Sequence, residues 1–545
     1  MLSFRTHLTV LDEAAALYPN AIAFRIPQLH PHSSGIEEWR SITYKEFHHD
    51  VEHFARYWSQ KLSVDNIHPR SVIGVWLSGL TYVDALHIYG IARAGYIPQL
   101  ISLRLPSPEV IFELLGLSKG KAVIFDASYD SEALRRAPLP MHIAVDAREL
   151  DVADSPLPPT LREADPSEPI MIFHTSGSTS GRPKLVPCSY AWWAATIAKA
   201  QQIMRPKFPH RERHDATVMM GSLCHMGQSF MLVGALQHGS CMVQFTKQAF
   251  SSDELLDMID RCGLTRMNIF PTFLATHLRN SRRDPHLLAR LQGLDEILVS
   301  GLSMSPEDQA WVISNGIKVL DCYASTEVAV MMLSVDGEGN GRLPPLRPID
   351  GVSYSLEPIA PSSPQPQSES GYSNIHARLL ELVVRGDSPD CPDISLRSAD
   401  GHFHTGDLFL EVTPGRYIFC GRDDDWVKSE NSLRCNTKAI EDNVNATCGG
   451  LVSNCVVVGN GRPCPALFVE SSVQMDERKL RNEIMRKIRP FHARRYMHER
   501  IASIANICVV PKDTLPRTAT KGNIRRRAVE QQFKAELDRM YADSH

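Results

Sequence analysis

Nowhere in its 545 residues does this chain hold an apolar run of the ~18 residues that a membrane span needs. The opening stretch Met1-Leu-Ser-Phe-Arg-Thr-His-Leu-Thr-Val also lacks the long apolar centre of a secretory signal. Excess charge is missing too. A formal net charge of −4 leaves no basic field to hold a polyanion, which argues against nucleic acid as a partner. Twelve cysteines are present, but no CxxC pair occurs and no histidine stands at ligand spacing in their later group. A disulfide framework and a structural zinc site both fit poorly, and reduced thiols in a cytoplasmic enzyme fit better. No repeat of solenoid length is found, and the ending Ala542-Asp-Ser-His545 is not a peroxisomal tripeptide. What these absences leave is a mixed-charge globular chain, expected in the cytoplasm and off the membrane, long enough for two or more domains.

Apolar runs alternate with helix-like patterns along most of its length. Residues 71–77, 122–126 and 296–300 read as strands and residues 83–93 as a helix. Repeated β-α alternation predicts a layered α/β architecture with largely parallel sheets. Residues 361–370, rich in Pro, Ser and Gln, are expected to be an exposed loop. After Gly421 the chain is richer in Arg and Lys and carries its own pattern: strands at 455–459 and 466–470, then a helix at 476–488. The expected organisation is an α/β fold in which residues 1–420 form a large N-terminal domain of layered subdomains. Residues 421–545 form a small C-terminal α+β domain, with the boundary at residues 421–425.

The most telling stretch is Thr175-Ser-Gly-Ser-Thr-Ser-Gly-Arg-Pro-Lys184, which follows a short apolar run that reads as a buried strand. It packs two glycines, five hydroxyl residues and two cations into ten positions. Such a loop offers backbone N–H groups, hydroxyl donors and a lysine to a polyphosphate. Glycine allows close approach, and Ser and Thr add donors without bulk. A plain Ser/Gly-rich surface loop is the competing reading. It is not a Walker loop, whose GxxxxGK[ST] pattern is broken by the three-residue separation of Gly177 and Gly181.

Three further constellations carry chemistry. In Lys318-Val-Leu-Asp-Cys-Tyr-Ala-Ser-Thr-Glu327, an aromatic, hydroxyls and a carboxylate emerge from a buried-looking strand. The aromatic can stack on a base, a hydroxyl can meet a phosphate and the carboxylate can hold Mg²⁺. The alternative is a helix start capped by Ser325. In His404-Thr-Gly-Asp407, an aspartate just before an apolar strand can accept bonds from two ribose hydroxyls. A lone Thr-Gly-Asp also marks many ordinary turns. Fourteen residues beyond Asp407 begins Gly421-Arg-Asp-Asp-Asp-Trp-Val-Lys428. Finally, Leu515-Pro-Arg-Thr-Ala-Thr-Lys-Gly-Asn-Ile-Arg-Arg-Arg527 is either a solvated basic tail or the carrier of a working lysine.

In this order, these stretches resemble the signatures of the adenylate-forming enzymes: acyl-CoA synthetases, luciferases and the adenylation domains of peptide synthetases. The first resembles TSG[ST]TGxPK with Ser180 added, the second YGxTE with Ala324 in place of glycine, and the last PxTxxGKxxR with lysine and glycine exchanged. Lesser matches are collinear: Ser41-Ile-Thr-Tyr-Lys-Glu-Phe47, Ala92-Arg-Ala-Gly-Tyr-Ile-Pro98, Leu223-Cys-His-Met-Gly227, and Gly301-Leu-Ser-Met-Ser-Pro306 with Leu302 where a second glycine is usual. The resemblance covers about residues 10–530. Its details, including Glu381-Leu-Val-Val-Arg385, are most similar to the adenylation domains of fungal, peptide-synthetase-like carboxylic acid reductases.

The resemblance implies ATP- and Mg²⁺-dependent activation of a carboxylic acid to an acyl-adenylate, then transfer to a pantetheine thiol of CoA or of a carrier protein in trans, in secondary metabolism. By that match Thr175, Ser176, Gly177, Ser178, Thr179, Gly181 and Lys184 grip the phosphates. Tyr323 flanks the adenine with Ser325 beside it in the nucleotide site, Thr326 contacts phosphate and Glu327 binds the metal. Asp407 takes the ribose with help from Arg422, and Asp424 is the hinge of a mobile small domain. Lys521 is the catalytic lysine, a mobile point charge suited to negative charge building on carboxylate and α-phosphate together. Arg525 trails it. His225 gates the carboxylate pocket, a structural histidine being the alternative. No FDxS-type aspartate stands near His225, which points to an aryl or aliphatic acid without an α-amino group. Neither a carrier serine segment nor a GxGxxG follows Lys521, so free CoA, a carrier in trans and a longer reductase chain all stay open. The departures at Ser180, Ala324, Leu302 and Asn431 (near the place of a usual glycine) keep a nucleotide-binding protein without turnover as the other reading.

Overall fold

A computed structural model describes the chain except residues 1, 31–34, 102–107, 130–133, 135–136, 153–156, 159, 161–162, 176–182, 209–213, 302–303, 335–342, 360–378, 424–425, 429–433, 494–498, 519–521 and 543–545. One compact unit is built from residues 1–175, 184–354 and 384–403, and a second from residues 355–383 and 404–545.

Two sheets organise the first unit. The smaller runs Lys184–Ser189, Pro169–Thr175, Ile97–Ile101, Val72–Trp76, Ala122–Phe125, Met141–Ile143, in that order. Every pairing in it is parallel except that of Lys184–Ser189 with Pro169–Thr175. Ile97–Ile101 and Ala122–Phe125 are buried along their whole length, as parallel strands covered on both faces are. The larger sheet has a parallel centre in the order Val319–Ser325, Glu296–Ser300, Arg266–Ile269, Ala216–Val218, Cys241–Val243, Ile22–Leu29. Antiparallel strands Ala329–Ser334 and Ile36–Thr43 flank it. Helix Tyr82–Arg93 starts where Thr81 and Asp84 cap each other reciprocally, which satisfies two N–H groups left over at a helix start.

One core joins Ile73 and Phe173 of the smaller sheet to Leu320 and Cys322 of the larger, through Trp193 and Phe230. Another covers the far side of the larger sheet with Val243, Met258, Leu274, Ile297 and Val299. Strands expected at 71–77, 122–126 and 296–300 and the helix at 83–93 form to within a residue or so. The loop expected at 361–370 lies outside the described residues.

In the second unit, strands Phe403–Thr413 and Arg416–Arg422 pair antiparallel. That pairing packs residues 404–420, expected with the large domain, into this unit. Beyond them Val452–Val458, Ala466–Ser471 and Ile507–Val510 form a small sheet, antiparallel then parallel. Alternation divides its faces. Val457, Leu467 and Val469 meet helices Thr437–Cys448 and Glu477–His492. Val456, Val458 and Phe468 meet Val529, Leu537 and Tyr541 of the last two helices. Helix Glu477–His492 buries Leu480, Ile484 and Ile488, one residue per turn, and leaves its charged positions to solvent.

Candidate active site

Carboxyl ends of parallel strands place most of the expected residues in the first unit. Thr175 ends a strand that runs parallel to Ile97–Ile101. It faces Lys184 across the antiparallel pairing, so the two are the stems of a turn, with Lys184 exposed. Ser176, Gly177, Ser178, Thr179 and Gly181 lie outside the described residues. Behind the stem, burial pulls the His174 imidazole down to about 4, so it stays neutral at physiological pH.

Val319–Ser325 likewise runs parallel to its neighbour Glu296–Ser300, then turns back. Ser325 pairs with Ala329, which leaves Thr326, Glu327 and Val328 as the turn. The helix start that the sequence allows does not form. Instead the Val328 N–H donates to Ser325 Oγ at 3.2 Å within the hairpin, and Ala329 takes a left-handed φ of +58°. The return strand decides the matter: Ala329 to Met332 are buried without a break and need ladder partners there. Tyr323, Ser325, Thr326 and Glu327 are half-buried, and Ala324 is exposed. Glu327 makes no hydrogen bond or ion pair among the described residues. No group of three metal-ligating side chains is assembled among them either. A single carboxylate beside candidate phosphate-binding groups nonetheless suits Mg²⁺, which keeps waters and takes phosphate oxygens as its remaining ligands. On the same face of the strand as Tyr323 sits Asp321, whose carboxyl burial pushes up to about 6.

His225 stands at the head of helix Met226–Gln237, half-buried and without a capping bond from its side chain. Its approach is fixed from behind. The Leu223 N–H donates to the Gly79 carbonyl at 2.8 Å, and Ser222 Oγ donates to the Ser78 carbonyl at 2.6 Å. Gly79 has φ +70°, and a Cβ there would fall 2.3 Å from Ser222 Oγ, so only glycine fits. Nothing local in the sequence marks Gly79 for this role. Helix Met226–Gln237 packs on the return strand Ala329–Ser334, and helix Tyr190–Ile203 packs on that strand and on both strands that hold Thr175 and Lys184. Gly301, at φ +90°, opens the collinear stretch that runs to Pro306, and Leu302 and Ser303 lie outside the described residues. A separate cavity of about 530 Å³, lined by Gln202, Arg205, His238, Arg347 and Asp350 among others, contains none of the expected residues.

In the second unit Asp407, expected just before a strand, lies inside one. Gly406 at φ +68° and a register slip between Asp407 and Phe409 let the strand continue through it. Asp407 is buried and sits opposite Arg422 in the ladder. Glu381, from the stretch that resembles the fungal enzymes, accepts the Gly406 N–H at 3.0 Å. Thr405 Oγ1 accepts the Asp407 N–H at 3.1 Å and donates to the Leu382 carbonyl at 2.7 Å. Near the end of the chain, Arg517 bridges to Ile524, the Thr518 N–H donates to the Asn523 carbonyl at 2.8 Å, and Gly522 takes φ +66°. These are the stems around Lys521, which itself lies outside the described residues, as does Asp424. Glu470 holds the stems from a wholly buried position. It accepts from Arg517 at 2.8 Å, from Asn454 Nδ2 at 2.9 Å and from the Leu515 N–H at 3.0 Å. Arg525 fixes the exit, its N–H donating to the Pro516 carbonyl at 2.8 Å.

Comparison with known proteins identifies the family. The AMP-binding enzyme family matches residues 11–373, and the AMP-binding enzyme C-terminal domain matches residues 424–545. The AMP-binding domain-containing enzyme iboA of Amanita muscaria is 36% identical over 523 residues, 94% of this chain and 98% of that one. A carboxylic acid reductase of Neurospora crassa is 24% identical over 99% of this chain, which spans 51% of the reductase. Among solved structures, the O-succinylbenzoate coenzyme A synthetase of Bacillus subtilis in complex with AMP shares the fold with a TM-score of 0.73 at 16% identity, covering 96% of this chain and 98% of its own. The same synthetase with ATP and a magnesium ion gives a TM-score of 0.72, at 16% identity over 96% of this chain and 99% of its own. No helix among the described residues is long and apolar enough to cross a membrane.

Proposed function

The chain belongs to the AMP-binding enzyme family and is an adenylate-forming ligase that activates carboxylic acids, and from that premise we propose its finer chemistry. The substrate is an aryl or aliphatic acid without an α-amino group, and the acceptor is a pantetheine thiol, of CoA or of a carrier protein in trans. A carboxylate oxygen of the acid attacks the α-phosphorus of ATP, the bond to the bridging α,β-oxygen breaks, and pyrophosphate leaves. The acyl-adenylate is then attacked at its acyl carbon by the thiol, which loses its proton, and AMP departs with the thioester left behind.

The protein's share is positioning and charge neutralisation rather than covalent chemistry. Thr175, Lys184 and the serine- and glycine-rich residues between them would cradle the β- and γ-phosphates. Tyr323 would flank the base with Ser325 beside it, and Thr326 would hold phosphate. His225 would close one side of the acid pocket, held there by the buried Leu223 and Cys224 that precede it. Glu327 would hold magnesium, which when bound neutralises phosphate charge. In the second unit, Asp407 would accept the ribose hydroxyls with Arg422 beside it, Asp424 would act as the hinge of residues 421–545, and Lys521 would offset charge in the first half-reaction.

The observation that carries this reading is the Thr326 to Val328 turn. It sets a hydroxyl and a carboxylate that is unengaged among the described residues at the carboxyl end of a parallel strand, where α/β sheets bind ligands. Pyrophosphate release with Mg·ATP, measured over a panel of aryl, aliphatic and amino acids, tests it. One acid class should respond, with at least a hundredfold loss in Glu327→Gln and in Lys521→Ala. Silence over the panel with ATP still bound would favour a nucleotide-binding protein without turnover. The match to half of a carboxylic acid reductase supports a second reading, the adenylation portion of a longer reductase. A longer reading frame with a carrier serine and a dinucleotide-binding motif would establish that one.

A further inference from the structure

Behind the Thr326 to Val328 turn lies a sealed polar cluster that no sequence motif announces. Lys199, on helix Tyr190–Ile203, is 2% exposed, and Asp390 is wholly buried. The Lys199 ammonium donates to Asp390 Oδ2 at 2.7 Å and also to the carbonyl of Val328, the last residue of the turn. Asp390 is held in its turn. The Tyr354 hydroxyl donates to Oδ2, and Ser388 Oγ donates to Oδ1 at 2.5 Å. Ser388 Oγ accepts the Ser353 N–H at 2.9 Å. Burial with Asp390 alongside raises the Tyr354 phenol well above its ordinary value, so it remains a donor.

A cluster of this kind has a bland explanation: a buried charge needs a counter-charge, and each needs hydrogen bonds. That explanation accounts for Lys199 with Asp390. It does not account for the choice of the second acceptor, the carbonyl of Val328, a wholly buried residue whose oxygen Lys199 satisfies where water does not reach. It also leaves Ala329 unexplained. A non-glycine residue at φ +58° is strained, and it persists only where its surroundings over-determine it. The dihedral φ of Ala329 is set by the orientation of the Val328–Ala329 peptide, whose oxygen is the atom that Lys199 grips.

We propose that Lys199 is a positioning residue for this turn: anchored by Asp390, its ammonium fixes the Val328 carbonyl and so sets the aim of Thr326 and Glu327 at magnesium and nucleotide phosphate. Lys199 touches neither ligand itself. The proposal rests on the reading of Glu327 as the magnesium carboxylate, and it adds that the carboxylate's placement is delivered from a helix that packs on the return strand Ala329–Ser334 and on the strands that hold Thr175 and Lys184.

The test separates charge balance from positioning. Lys199→Met leaves Asp390 buried without its partner and should lower the melting temperature. Lys199→Met with Asp390→Asn removes both charges, and the amide in place of the carboxylate can keep its bonds to Tyr354 and Ser388, so stability should return close to the parent value. The readouts are the Mg²⁺ concentration that half-saturates ATP binding and the same midpoint for acid-dependent pyrophosphate release. Both midpoints should remain about tenfold higher than in the parent in the double variant despite its restored stability. Parental midpoints in a stable double variant would overturn the proposal and reduce Lys199 to a counter-ion. Glu327→Gln is the control. If it leaves the Mg²⁺ dependence of ATP binding unchanged, the metal reading of Glu327 fails and this proposal falls with it. If Mg²⁺-dependent binding is normal but no acid yields pyrophosphate, the catalytic reading fails while the binding midpoints still judge Lys199.

Discussion

Two turns in this molecule are held by a buried carboxylate, and they are held differently. The Thr326 to Val328 turn is reached indirectly, through an ammonium that bridges a sealed aspartate and one backbone carbonyl. The stems around Lys521 are held directly, by a glutamate that takes a guanidinium and a backbone N–H from the stems themselves. Lys199 is almost wholly buried, whereas Arg517 is about a third exposed. A dry lysine with two fixed acceptors locks one peptide orientation, because leaving any member unpaired is costly. A half-wet arginine on loop stems secures where a loop begins and ends while part of its charge remains screened by water. On the proposed roles, the first arrangement suits a carboxylate whose angle to a metal matters, and the second suits a lysine that acts as a mobile point charge.

Breaking each anchor should expose the contrast. Asp390→Ala should be the most damaging change, destabilising by about 3–5 kcal/mol in urea unfolding because it strands Lys199 in a dry site. Glu470→Gln should cost less, about 1–3 kcal/mol, since an amide keeps part of the acceptor role. It should slow pyrophosphate release about tenfold without moving the Mg²⁺ midpoint. A shift of that midpoint in Glu470→Gln, or none in the Lys199 double variant, would erase the distinction between the two anchors.

A pH measurement sharpens it further on the strand that leads into the first turn. Burial raises the Asp321 carboxyl to about 6 in the folded state, above its ordinary unfolded value. Between those values the folded state binds the proton more tightly, so this group's cost is fully present above pH 6 and absent below about pH 4. Asp321→Asn should therefore add about 1–3 kcal/mol at pH 7.5, with the gain shrinking as pH falls through 6. A pH-independent gain would mean that ionisation is not the source. The smallest effect is expected of Ala324→Gly, which restores the glycine usual in related enzymes. Ala324 points to solvent, so activity should change less than about twofold and stability fall by about 0.5–1 kcal/mol.

Much of the scaffold was legible before any coordinates. Apolar runs located strands such as Ala122–Phe125 and Ala466–Ser471, and a helix-like pattern located helix Glu477–His492. Thr175, Lys184, Tyr323, Ser325, Thr326, Glu327, Asp407 and Arg422 could be picked from short motifs because each motif lies on one strand end or one hairpin. Local reading failed where long-range pairing outvoted it. The Ser-Thr-Glu stretch is compatible with a capped helix, and only the neighbouring strand made it a turn. Asp407 read as preceding a strand, until a left-handed glycine and a slipped register let the ladder run through it.

The chain's family, its alternation of strands and helices and the residue types in its candidate site motifs were determined by sequence alone, since these rest on order and on neighbours a few positions apart. The support behind the turns was decided only by tertiary structure. Lys199 and Asp390 are 191 positions apart, Arg517 and Glu470 are 47 apart, and Gly79 meets Ser222 across two different elements. No periodicity links such residues. Each becomes necessary only when folding removes water from one partner and the other is the group that can replace it.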